Sequence, residues 1–104
     1  MILVFTTVPT VEESEALATK LVDGNLAACV QILPQMTSVY VWEGKLEKES
    51  EHLLLIKTLP EKWDELRDFI TANNSYDVPE IIAVDIDKVS EKYSAWLQNA
   101  LTTT

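Results

Sequence analysis

Apolar side chains fall along this sequence in runs whose period changes from one stretch to the next. Residues Ile2 to Val8 open with consecutive apolar and β-branched positions, as in a strand covered on both faces. Pro9 interrupts the run, and Thr10 followed by Glu13 has the spacing of a capping box at a helix start. Leu17 and Leu21, with Ala18 and Val22, mark the inward stripe of that helix, and Gly24 stands where a helix commonly ends in a left-handed residue. A second apolar run, Leu26 to Leu33, is cut by Pro34 and predicts another strand. The next stretch, "TSVYVW", alternates, with Val39 and Val41 on one face and Tyr40 and Trp42 on the other. Glu43, Gly44 and Lys45 supply a glycine where a hairpin turn needs positive φ, and a further strand runs through "HLLLIK" to Thr58.

Pro60 suits the first turn of a second helix that turns Trp63, Leu66 and Ile70 inward. Asn73 and Asn74 are placed to close it, since Asn tolerates the left-handed conformation. Pro79 holds Val78 extended, and "EIIAVDI" predicts a fourth core strand with Glu80 at its mouth. Tyr93, Trp96, Leu97 and Ala100 mark a short terminal helix. The order β-α-β-β-α-β plus a helix predicts an α+β fold of the ferredoxin-like kind, with helices on one face of an antiparallel sheet. Strands as long as the pair around Gly44 overhang a small sheet, and their aromatic faces call for a second chain.

Composition narrows the partners. A chain of 104 residues suits one domain, residues 1–104, and buries roughly 65% of its unfolded surface. Seventeen acidic residues against eight basic ones give a net charge of −9, which repels phosphate backbones and anionic membrane surfaces. Neither nucleic acid nor a membrane is an expected partner, and no apolar run reaches the ~20 residues of a spanning helix. The first residues lack the basic and small-residue features of a secretory leader, and Cys29 is the only cysteine, so a reduced, cytoplasmic protein is expected.

Catalytic chemistry finds little support. The sequence has no Gly-rich phosphate loop, no H-E-x-x-H and no G-x-S-x-G, so an enzyme is not expected. Cys29 lies in an apolar run, where a thiol packs as a small hydrophobe. His52, the sole histidine, starts a strand without convergent partners and is expected to be partly exposed. Glu12, Glu13 and Glu15 suit the positive end of a helix dipole, and the run Glu43 to Glu51 reads as a solvated hairpin surface. Polar-tipped aromatics and single charges beside apolar strands single out Tyr40, Trp42, Lys57, Tyr76, Glu80 and Trp96 as the lining of a small-ligand cleft. In that cleft Lys57 favours an anionic ligand and Glu80 orients it. The same aromatics also suit a core or a subunit seam, and the two readings merge if the cleft lies between subunits.

Four ordered segments carry a family likeness: "VFTTVP", "LAACVQILPQMTSVYVWEGKLEKESEHLLLIKT", "SYDVPEIIAVDI" and "YSAWL". Together they span nearly the whole chain, which resembles the CutA family of divalent-cation tolerance proteins. The resemblance implies a ferredoxin-like subunit in a compact homotrimer, similar to the PII-type signalling trimers. It also implies an association with tolerance to divalent metals, copper binding and ligand binding, and brings no enzymatic mechanism with it. A divalent metal ion is thus an implied cofactor. The family's metal reading rests on a cysteine and histidines where this sequence has Thr6, Asn73 and Asn74. Amide and hydroxyl oxygens are weak donors for copper or zinc, which leaves Asp77, Glu80 and His52 as the candidates for a metal. An alternative is a trimeric scaffold or signalling protein that docks a protein partner without binding metal.

Overall fold

A computed structural model describes residues 1–102. In chain order the elements are β1 (Ile2–Val8), α1 (Val11–Asp23), β2 (Cys29–Ile32), β3 (Met36–Trp42), β4 (Lys45–Thr58), α2 (Trp63–Asn73), β5 (Ile82–Asp85) and α3 (Glu91–Thr102). The sheet runs β2-β4-β1-β5 with every neighbouring pair antiparallel, and β3 pairs with the near half of β4. This is the ferredoxin-like order expected from the sequence. Pro34 lies in the break between β2 and β3, where the missing N–H of proline ends a ladder. The 14 residues of β4 rise about 3.3 Å each, enough to account for the 45 Å long axis of the molecule.

Burial in the sheet follows a period of two. Ile2, Val4, Thr6 and Val8 of β1 face the core together with Leu54, Ile56 and Thr58 of β4, and the register pairs Ile2 with Thr58, Val4 with Ile56 and Thr6 with Leu54. Leu17 and Leu21 of α1 and Leu66 and Ile70 of α2 close this core, with Trp63 packed at its margin. The intervening positions Leu3, Phe5, Leu53 and Leu55 are only half-buried. α3 is tied to the body by Asn25, whose Nδ2 donates to the Leu101 carbonyl at 3.0 Å.

Four local expectations change. Gly24 ends α1 with φ −81°, an ordinary right-handed value, and the left-handed residue is Asn25 at φ 62°. Asn74, at φ −104° and ψ 137°, is extended, so α2 is closed by side chains rather than by a left-handed residue. Asn73 Nδ2 donates to the Phe69 carbonyl at 2.9 Å, and Asn74 Nδ2 donates to the Thr7 carbonyl at 3.1 Å. The segment expected to be a core strand yields the four-residue β5, which is exposed throughout and forms one edge of the sheet. Cys29 at the opposite edge is half-buried rather than enclosed.

Candidate functional site

The hairpin that joins β3 to β4 turns at Glu43 and Gly44, with φ of 51° and 80°, the two positive values of a type I′ turn. Its ladder runs from Met36 opposite Glu51 to Trp42 opposite Lys45, well beyond the helix-covered part of the sheet. The period of two then puts Ser38, Tyr40 and Trp42 on one face of the ribbon. The segment 74–81 folds toward that face. Two contacts fix its start: the Tyr76 N–H donates to Asn74 Oδ1 at 2.9 Å, and the Ser75 N–H donates to Glu13 Oε1 at 3.1 Å. Glu13 therefore does not complete the capping box. Its own N–H donates to Thr10 Oγ1 at 3.1 Å, while its carboxylate holds the next segment.

Between ribbon and segment lies a groove of about 610 Å³, lined by Tyr40, Trp42, Tyr76 and Glu80 among others. Four of the six residues expected in a cleft are thus brought together, along with Asp77. Lys57 and Trp96 are not. Lys57 Nζ sits 5.3 Å from the centre of the Tyr93 ring, and Tyr93 in turn lies 5.5 Å from Trp96, so this cation and these aromatics join β4 to α3. Among the described residues, the lining of the groove contains carboxylates and no cation.

Sequence reasoning missed the residue at the base of the groove. Glu51, read as part of a solvated run, is only 8% exposed. Its Oε1 accepts a hydrogen bond from the Ser38 hydroxyl, and its Oε2 accepts one from the Tyr76 hydroxyl at 2.9 Å. Both oxygens are thereby engaged, as a carboxylate withdrawn from water requires. Desolvation first, then the hydrogen bond to Glu51 and the negative charge of that carboxylate, push the Tyr76 phenol well above its ordinary value. Tyr40 is raised by desolvation, then by Glu49, Glu47 and Glu51. The available signal for Glu51 lay in register: β4 changes partner there, from Val8 opposite His52 to Met36 opposite Glu51.

Fold and groove together define a ferredoxin-like protein with an extended ribbon and an aromatic, acidic groove at its root. The chain belongs to the CutA1 divalent ion tolerance protein family, matching it over residues 2–100. It is 48% identical over 99 residues to the chloroplastic CutA protein of Arabidopsis thaliana, an alignment covering 95% of this chain and 54% of that protein. The chain thus spans about half the length of that relative. Crystallised CutA1 from Oryza sativa superposes with a TM-score of 0.94 at 44% identity, over 99% of this chain and 94% of that one. The CutA of Archaeoglobus fulgidus, described as a periplasmic divalent cation tolerance protein, gives 0.93 at 35% identity over 97% and 99%. These relatives correct the expectation of a cytoplasmic protein: they carry chloroplastic and periplasmic descriptions, and a lone cysteine does not fix a compartment.

The family name implies a divalent ion, and the donors here do not fit a copper or zinc site. Thr6 Oγ1 is fully buried without a hydrogen-bond partner, and the amides of Asn73 and Asn74 are already engaged with backbone groups. His52 Nδ1 is 3.0 Å from the Leu33 carbonyl, to which it donates, and the ring does not line the groove that holds Asp77 and Glu80. Among the described residues no three His, Cys, Asp or Glu side chains converge as a metal site requires. No described helix is long and apolar enough to cross a membrane.

Proposed function

We propose that the chain acts without catalysing a reaction, as a homotrimer that serves divalent-cation tolerance by binding a small ligand in its ribbon-root grooves. The observation that carries this reading is the construction of the groove, whose base is a carboxylate with both oxygens engaged and whose wall is formed by Tyr40 and Trp42. Such a site, concave and walled by aromatic side chains with a few fixed polar atoms, has the form of a small-molecule pocket. Trimerisation is supported by the exposed ribbon and by the open edges of the sheet, which invite pairing with another copy. Direct copper chelation is disfavoured by the donor set, so tolerance is read as a consequence of ligand binding. The test is native mass spectrometry of the protein purified gently from cells. A species of three 11.7 kDa protomers carrying a small molecule, lost on Trp42→Ala, is the expected result. A ligand-free spectrum, together with tight uptake of one copper ion per protomer by the metal-stripped protein, overturns the reading.

A further inference from the structure

The groove's own charges indicate the class of ligand it takes. Glu51 closes the base, Asp77 and Glu80 stand on the rim, and Tyr40, Trp42 and Tyr76 supply aromatic surface. Among the described residues none of these three carboxylates forms an ion pair, since the salt bridges join Arg67 to Asp64 and Asp68 and Lys88 to Asp87, all on the surface. Lys57, the cation expected here from the sequence, is held over the Tyr93 ring instead. Lys45 stands opposite Trp42 at the far end of the ladder and is not part of the lining.

Resting on the ligand-groove reading above, we propose that the groove is selective for a small organic cation of the alkylammonium class. Two features of such a cation match the site. Its positive charge complements three carboxylates, and among the described residues of the protomer no cation lines the groove with them. Its methyl or methylene shell is weakly hydrated and sits against Tyr or Trp faces, where the negative ring quadrupole attracts it. A bare metal ion uses only the first feature and needs converging donors that the site does not provide. An anion finds neither feature. Glu51 is suited to a fixed role because the Ser38 and Tyr76 hydroxyls hold its two oxygens.

Three probes of one shape and different charge test this: choline, its neutral counterpart 3,3-dimethylbutan-1-ol, and the anion 3,3-dimethylbutanoate. Each is titrated into the intact, isotope-labelled oligomer while the indole N–H signals are followed. Trp42 lines the groove, and Trp63 and Trp96, which do not, serve as internal references. Choline is expected to shift Trp42 saturably and to bind about 10-fold more tightly than the alcohol, a ratio within reach of one cation–π contact plus partly screened charge pairs. Glu51→Gln is expected to reduce choline affinity about 5-fold. The rim variants Asp77→Asn and Glu80→Gln, both isosteric changes at exposed positions, are expected to reduce it about 2-fold each. Equal binding of the alcohol, tighter binding of the anion, or unchanged choline affinity in the rim double variant overturns the cation inference and leaves the ligand groove standing. No movement of Trp42 with any probe, the result when a basic side chain of a neighbouring copy already fills the site, overturns both.

Discussion

A carboxylate withdrawn from water costs several kcal/mol unless its oxygens are engaged, and at Glu51 two hydroxyls from different parts of the chain engage them. Tyr76 is the more telling of the two because it also titrates. Removing its hydroxyl leaves a buried acceptor with one donor fewer, so Tyr76→Phe is expected to destabilise the protein by about 1–3 kcal/mol at neutral pH. The pH dependence has a definite sign. Desolvation and Glu51 raise the folded-state pKa of Tyr76 above its unfolded value of 10.0, so the folded state holds its proton more tightly. That contribution is fully present below about pH 10 and is lost as pH rises above it. Urea midpoints measured from pH 8 to pH 11 are therefore expected to fall in the wild type and to fall less in Tyr76→Phe. Equal slopes for the two proteins refute the coupling.

At the scale of elements, the ribbon depends on its turn. Gly44 adopts φ +80° with nothing within 4 Å of a built Cβ, so any penalty for a side chain there is purely one of backbone conformation. Gly44→Ala is expected to cost about 1–2 kcal/mol, and Gly44→Asn less, since Asn tolerates the left-handed region. Chemical denaturation at fixed protein concentration checks this, and a loss for Asn equal to that for Ala would sink the argument. The turn was legible in the sequence because a glycine between two alternating runs has few other uses. The Leu17–Leu21 stripe of α1 and the inward stripe of α2 were legible for a similar reason, since their periods match the faces they bury, whereas Val22, expected to face inward, is exposed, and β1, expected to be covered on both faces, leaves Leu3 and Phe5 half-buried. The end of α1 was misplaced by one residue because Gly24 and Asn25 both suit a left-handed position and only the fold selects between them. β5 was misjudged because an apolar strand reads the same whether its own subunit or another chain covers it. Two of the six expected cleft residues failed to join the groove for a related reason. Lys57 and Trp96 are adjacent to each other through Tyr93, and nothing local distinguishes that cluster from the groove.

The most exposed apolar side chains of the molecule concentrate on the ribbon, on the segment that faces it and on β5. Val41 and Leu46, opposite each other near the ribbon tip, are each 66% exposed, and Val39, Val78, Ile82 and Val84 are also open to solvent. A two-stranded ribbon is marginal in water on its own, yet this one carries the longest strand of the chain. Covering a Val or Leu side chain completely is worth about 1.5–3 kcal/mol, and a threefold assembly repeats the gain in every subunit. Solvent-exposed ion pairs such as those of Arg67 offer only ~0–1 kcal/mol each and do not replace it. In the proposed trimer, a charge placed at the Val41–Leu46 pair is carried into the seam of each neighbour without a counter-charge, at a cost of several kcal/mol per subunit. Val41→Asp is accordingly expected to convert a particle of three protomers, measured by light scattering during gel filtration, into a monomer that unfolds at lower temperature. Val22→Asp, the same change of charge at an exposed valine on α1 rather than on the ribbon, serves as the control and is expected to leave the mass unchanged. If Val41→Asp keeps the wild-type mass and melting temperature, the ribbon is not the seam. The exposed edge of β5 then becomes the surface along which the copies pair.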